Sequence, residues 1–199
     1  MKFWYLALSL LVFLGCSRPD YFVGIGGNYN AGKQEILKRR GADLDKAIVH
    51  LETVARDDPK YKDSLTLLGR AYYRRDRYGD AKAILQRALA VNKDDEIAWL
   101  ALGLSELRLG ESAKGLQYVQ GGLTLLSRAN REGYKDYARW DRAGKVSLAL
   151  RRAVFAAHKG LENGNKEDLI RSVETVLTSI DEEEFFQVFE KADVYRDQR

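Results

Sequence analysis

LTLLGRAYYRRDRYGDAKAILQRAL, residues 65–89, is the stretch that decides the fold of this chain. Its helical periodicity is broken only at a short polar turn, which predicts two helices joined tightly. A related stretch, WLALGLSELRLGESAKGLQYVQGGL, lies 34 residues further on at residues 99–123. Matching positions are Leu65 and Trp99, Leu68 and Leu102, Gly69 and Gly103, Ala81 and Gly115, Leu85 and Val119, and Ala88 and Gly122.

Small residues recur at matching positions of this pattern. Ala47 and Leu51 continue two of the registers one repeat earlier. A glycine inside a helix costs about 1 kcal/mol relative to alanine, so a recurring glycine indicates that another backbone comes close. The spacing therefore predicts antiparallel helices packed closely in pairs.

Helical periodicity continues through most of the chain, and strand signals are absent. There are only two prolines, and Pro59 lies where a helix should end. We predict an all-α protein, with helices at about 43–57, 61–75, 78–91, 95–109, 112–127, 134–162, 166–179 and 182–193.

On these residues the chain resembles the tetratricopeptide repeats. Residues 65–89 fit the pattern best and residues 99–123 second best, with Glu106 in a position where tyrosine is usual. The first repeat is recognisable mainly in its second helix, DLDKAIVHLETVARDDP, and a weak fourth unit follows at about residues 153–176. The resemblance implies an α-solenoid of antiparallel helix pairs with extra C-terminal helices.

The resemblance also implies a division of the chain. We expect the repeats at residues 34–129, followed at 130–199 by a long capping helix, a degenerate repeat and a C-terminal helix. That last helix carries Phe185, Phe186 and Phe189, and we expect the chain's own repeats, rather than a partner, to cover these rings.

The N-terminus resembles that of bacterial lipoproteins. Residues 1–15, MKFWYLALSLLVFLG, form a signal peptide, because one lysine precedes an apolar run that is too short to span a membrane. VFLGC is similar to a lipobox, which implies a covalent lipid on Cys16, the only cysteine. The alternative is a secreted protein with one free thiol. Ser17 after the cysteine favours an outer membrane location facing the periplasm.

Residues 16–33 are glycine-rich, and we expect them to form a flexible tether behind the lipid anchor. The tether contains GNYNAGKQ, residues 27–34, which departs from a phosphate-binding loop only at Gln34, where serine or threonine is required. No alternation of strands and helices surrounds it. We therefore expect no nucleotide.

Charge and composition exclude other classes. The 33 basic and 29 acidic residues are interspersed, which is not typical of a nucleic-acid-binding protein. Two histidines and one cysteine offer no zinc pattern. We expect no catalytic residues, no metal and no cofactor beyond the lipid on Cys16. The acidic run at residues 181–184 is interpreted as the start of the last helix.

The candidate binding residues come from the helix faces opposite Gly69 and Gly103. We expect these faces to line a concave groove for an amphipathic or extended segment of another protein, with leucines against its apolar side chains and arginines against its carboxylates. An alternative is that the chain's own C-terminal helices fill the leucine wall. The predicted groove residues are Arg70, Tyr73, Arg74, Leu100, Leu104, Leu107 and Arg108.

These features predict a membrane-anchored interaction scaffold or assembly factor of the bacterial cell envelope. By resemblance it is similar to pilotin-type lipoproteins. The alternative is a constitutive structural subunit of an envelope complex, and an enzyme is not expected.

Overall fold

The computed structural model describes residues 24–38, 40–134, 140–161 and 165–190. The predicted signal peptide, Cys16 and the first part of the predicted tether lie outside these residues. The described residues contain eight α-helices and no strand, so the predicted all-α class is confirmed. None of these helices has the length and apolar character needed to cross a membrane.

Consecutive helices pack in pairs. The pairs are α1 with α2, α3 with α4, α5 with α6, and α7 with α8. The helix bounds are α1 Ile25–Leu37, α2 Leu44–Asp57, α3 Ser64–Arg74, α4 Tyr78–Val91, α5 Glu96–Arg108, α6 Ser112–Glu132, α7 Lys145–Lys159 and α8 Lys166–Phe185, followed by a π-helical turn at Phe186–Glu190.

Glycines allow paired helices to pack at short distance, as the sequence predicts. A Cβ added at Gly69 would lie 2.4 Å from Cγ of Leu85 on the paired helix. At Gly103 it would lie 2.8 Å from the backbone nitrogen of Val119. Distances below 3.0 Å are not tolerated by packed atoms, so the α3–α4 and α5–α6 pairs approach this closely only because these two positions lack a side chain.

Aspartates begin two of the helices. The side chain of Asp43 accepts a hydrogen bond from the Lys46 amide at the start of α2, and Asp95 accepts one from the Ala98 amide at the start of α5. Each carboxylate satisfies an amide that has no partner within its helix. These caps fix where the two helices begin.

The tether prediction is wrong for its second part, because α1 begins at Ile25. Tyr29 and Gly32 of this helix are buried. The Tyr29 hydroxyl donates to Asp63 at 2.6 Å, and a Cβ at Gly32 would lie 2.6 Å from Cγ of Leu51. These contacts offset the low helix propensity of the glycines. Helix α1 is therefore the first helix of the first repeat, which the sequence analysis did not predict.

The C-terminal region also differs from the prediction. Helix α6 continues to Glu132, and α7 begins only at Lys145, after Gly144 in the left-handed conformation at φ 67°. The predicted long helix at 134–162 is therefore wrong. The predicted helices at 166–179 and 182–193 join into one helix that reaches Phe185. Of the three phenylalanines predicted on the last helix, Phe186 is 43% exposed and Phe185 is partly buried, and the side chain of Phe189 lies outside the described ones.

Candidate interaction groove

Helix α8 lies against the helices that were predicted to line an open groove. It contacts α1 and α5 in addition to its partner α7. Its apolar face is buried in the common core. That face consists of Leu169, Ile170, Val173, Val176, Leu177 and Ile180.

Carboxylates on α8 meet basic and phenolic side chains of the repeats. Asp181 pairs with Arg70 at 2.5 Å, and Glu184 pairs with Lys33 of α1 at 2.7 Å. Glu174 accepts a 2.5 Å hydrogen bond from the Tyr73 hydroxyl.

Arg108 of α5 extends this set toward the beginning of α8. It contacts Glu167 at 3.2 Å and Glu174 at 3.3 Å. Glu167, Glu174 and Asp181 are seven residues apart, so they lie along one face of the helix. Helix α8 thus presents an acidic stripe beside its apolar face.

The Arg70–Asp181 pair is the most buried of these contacts. The side chains are 7% and 13% exposed. Burial raises the pKa of the Asp181 carboxyl from its ordinary value, although Arg70 and Arg74 act in the opposite direction. Breaking such a pair by removing one member leaves an uncompensated charge in the interior. Arg70 is therefore a structural residue, and the prediction that it faces an external partner is wrong.

The leucine wall is internal core. Leu100, Leu104 and Leu107 have no exposed surface. A Cβ at Gly122 would lie 2.8 Å from Cγ of Leu100, and a Cβ at Gly115 would lie 2.6 Å from Cγ of Leu107. Two of the leucines therefore face the paired helix α6, and the prediction of an open apolar wall is wrong.

The reason is the central position of α5. This helix contacts α3, α4, α6 and α8, and all of its residues from Leu100 to Leu107 are buried. A face opposite the paired helix is exposed only where no further helix covers it. Here α8 covers it.

A pocket of about 520 Å³ remains open beside the occupied part of the groove. Arg74 lies at this pocket and is exposed. Its guanidinium donates to the Ile36 carbonyl at 2.6 Å, and no ion pair holds it among the described residues. Burial of part of the side chain and the neighbouring Arg70 lower the Arg74 pKa. The rest of the lining is mixed. It includes the apolar and aromatic side chains of Leu37, Leu44, Tyr73, Tyr78 and Leu177 and the acidic residues Asp76, Glu174, Asp181 and Glu182.

The structure divides the predicted groove residues into two groups. Arg74 and Arg108 remain accessible to solvent, and Tyr73 lines the pocket although it is only 8% exposed. Arg70 and the three leucines are enclosed. Sequence reasoning missed the roles of Glu174, Asp181 and Glu184. For Glu174 and Asp181 the signal was the seven-residue spacing of acidic residues from 167 to 181. The acidic run at 181–184 lies within α8 and does not start a helix.

The segment that resembles a phosphate-binding loop is part of a helix. Residues 27–34 belong to α1, so their amides bond within the helix and do not surround an anion. Lys33, which would contact the phosphates in such a loop, pairs with Glu184.

Neither histidine lines the pocket beside Arg74. His50 Nδ1 shares a 2.8 Å hydrogen bond with the Asn28 side chain, and His158 is exposed on α7. Across the described parts of the chain, no group of three or more His, Cys, Asp or Glu side chains is placed to hold a metal ion.

Comparison with known proteins agrees with this architecture. Residues 41–104 match the family model described as "Tetratricopeptide repeat". The fold is similar to the crystal structure of MamA, with a TM-score of 0.50 and 19% sequence identity over 86% of this chain and 82% of that one. No curated protein matches the sequence. The predicted α-solenoid of repeat-like helix pairs is confirmed at the level of the fold.

Proposed function

We propose that this chain is a membrane-anchored scaffold of the bacterial cell envelope that binds a segment of another protein in the pocket beside Arg74. Tetratricopeptide repeats suggest a protein-interaction scaffold, and the lipobox-like VFLGC at residues 12–16 supports the anchor. The predicted place is the outer membrane, facing the periplasm.

Arg74 is the observation that carries the binding proposal. Arg74 forms no ion pair among the described residues, although Asp181 lies near enough to affect its pKa, and an arginine can form two parallel hydrogen bonds to a carboxylate. The neighbouring Arg70 and Arg108 both pair with carboxylates of α8. The Arg74 guanidinium instead donates to the Ile36 carbonyl. A partner segment that places a carboxylate on Arg74 and an apolar side chain against Leu37, Leu44 and Leu177 fits this pocket.

Arg75 provides a matched control. It follows Arg74 directly, is exposed, and pairs with Asp45 on α2. Reversing the charge at either position changes the net charge equally. Of these two arginines, only Arg74 lines the pocket.

The test has two steps. A photoreactive residue at Asp76, beside the pocket, captures the partner in cells and locates the contacting segment. The synthetic segment is then titrated against the wild type, Arg74→Glu and Arg75→Glu. Because a hydrogen bond to a charged group contributes about 1.5–3 kcal/mol, we expect Arg74→Glu to weaken binding by about tenfold to a hundredfold. Equal affinity of both variants would contradict the proposal.

A constitutive structural subunit is the second candidate. It is favoured by the occupation of most of the groove by α8, which leaves a short surface for a transient client. The two candidates differ in stoichiometry. A structural subunit purifies with its partner at a fixed ratio that resists salt, whereas a client segment binding through Arg74 dissociates as ionic strength rises.

A further inference from the structure

Helix α7 exposes two large apolar side chains on one face. Phe155 is 62% exposed and Leu148 is 44% exposed. Seven residues separate them, so both side chains point in nearly the same direction, about 10 Å apart along the helix. The opposite face is buried against the rest of the protein through Val146, Ala149, Leu150, Ala153 and Ala157.

Basic side chains flank these two apolar residues. Arg151 and Arg152 lie between them along the helix, and Lys159 follows one turn after Phe155 with its Nζ 4.7 Å from the ring centroid. All three are exposed. The whole helix from Lys145 to Lys159 contains no acidic residue.

Within the part of the chain that the structure describes, no acidic side chain forms an ion pair with the cations of this surface. Among the described residues, Arg151, Arg152 and Lys159 form no ion pair. The acidic side chain that lines a pocket with Arg152 is Asp168 of α8, and Asp168 pairs with Arg171 on its own helix. Lys145 at the beginning of α7 contacts Glu182. The charge is therefore concentrated around Phe155 and Leu148.

We propose that this α7 face, formed by Leu148, Arg151, Arg152, Phe155 and Lys159, docks onto the surface of an anionic lipid bilayer. A bilayer surface accepts protruding apolar side chains at the headgroup boundary and attracts the cations around them. Arginine and lysine suit this position, because their stems lie along apolar surface while their charged ends reach the headgroups.

Association with a second copy through the same face is disfavoured. A twofold contact between two α7 helices would place the cations of one copy opposite those of the other. An anionic bilayer meets no such repulsion. The proposal goes beyond the scaffold function and does not require the lipid on Cys16.

The experiment places a photoreactive phenylalanine analogue at position 155 of the full chain. The protein is mixed with vesicles of phosphatidylcholine alone or of phosphatidylcholine with phosphatidylglycerol, and lipid and protein adducts are separated after illumination. Val49 on α2 provides the control position because it is 63% exposed. A second label at position 148 repeats the measurement on a different side chain.

We expect lipid adducts at positions 155 and 148, enriched with phosphatidylglycerol, and few at position 49. Each cation near an anionic surface favours binding by about 1 kcal/mol, or about fivefold. The double variant Arg151→Gln, Arg152→Gln should therefore lower the adduct yield severalfold, whereas Arg87→Gln with Lys114→Gln, which removes the same charge elsewhere, should not.

Three results would overturn the proposal. The first is an equal lipid yield at positions 155 and 49. The second is an unchanged yield in the double variant. The third comes from repeating the illumination of the position-155 label in isolated cell envelopes: adducts with a protein only would assign the α7 face to an acidic protein partner.

Discussion

Replacing Arg70 by methionine tests whether α8 occupies the groove. Methionine keeps much of the side-chain volume and removes the charge, so Asp181 remains buried without its partner. Breaking a buried ion pair in this way costs about 3–5 kcal/mol. For a chain of this size each kcal/mol lowers the melting temperature by about 2–4 °C. We therefore expect Arg70→Met to melt about 10 °C lower than the wild type.

The loss should depend on pH with a defined sign. Burial raises the pKa of Asp181 even in the wild type, where Arg70 and Arg74 oppose the shift. Without Arg70 the shift increases, so the folded variant binds a proton more tightly than the unfolded chain does. The variant is then penalised most near neutral pH, and the penalty shrinks as the pH falls and Asp181 takes up its proton. A cavity effect alone would show no such dependence.

Two further variants complete this test by thermal and urea denaturation. Arg70→Met with Asp181→Leu replaces the pair by apolar side chains, and it should recover most of the lost stability. Arg75→Met removes an exposed pair with Asp45 and should cost less than about 1 kcal/mol. The reasoning is refuted if Arg70→Met melts within about 2 °C of the wild type.

Three other predictions address the anchor, the helix pairs and the pH dependence. Cys16→Ser should abolish labelling by a clickable fatty acid and move the protein from the membrane fraction to the soluble fraction; equal labelling of both proteins would exclude the anchor. Gly103→Ala should cost about 1–3 kcal/mol in urea denaturation, because its Cβ would meet backbone atoms of α6, whereas Gly79→Ala, with nothing within 4 Å, should be neutral or stabilising. Lys38 and the Asp43 amide lower the pKa of Glu35 from 4.5, so this carboxylate stabilises the fold above that pH, and the stability difference between wild type and Glu35→Gln should vanish as the pH falls through the folded-state pKa.

The helix pairs could be predicted because their cause is local in sequence. A glycine that recurs with the repeat has few explanations other than a close helix contact, and Gly69 and Gly103 have that contact. Their partners, Leu85 and Val119, share a register in the sequence. Each helix pair can be predicted separately in this way, and together the pairs predict the fold class.

The helix α1 could not be predicted with the same reasoning. Its sequence, IGGNYNAGKQEIL, has three glycines and two asparagines, and local propensity therefore favours a loop. The helix is stabilised by residues distant in the chain: Leu51 packs on Gly32, Asp63 accepts from Tyr29, and Glu184 pairs with Lys33. Propensity is a weak guide where tertiary contacts of this kind decide the conformation.

Glu106 departs from the repeat pattern, and a side chain of the preceding helix compensates for the change. Tyr72 of α3 donates a hydrogen bond to Glu52 of α2. One repeat later the matching position is Glu106, which is 1% exposed and pairs with Lys82 of α4 at 3.0 Å. The hydrogen-bond donor Tyr72 is replaced by the acceptor Glu106 in the next repeat, and the preceding helix α4 supplies the cation Lys82 that pairs with it. The unusual glutamate therefore belongs to the interface between repeats and is no evidence of catalysis.

The groove prediction described the right kind of binding segment, an amphipathic one with carboxylates, but assigned it to a partner protein instead of to this chain. Arginines beside an apolar surface favour an amphipathic segment with carboxylates, and α8 has that character, with acidic residues at 167, 174 and 181 beside a buried apolar face. A sequence read one helix at a time cannot tell whether such a segment comes from a partner or from the same chain. The pairing of charged side chains in the folded chain can distinguish these two sources. Arg70 and Arg108 form ion pairs within the chain, whereas Arg74 at the pocket and the cations of the α7 face form none among the described residues, so external partners should be sought at those two places.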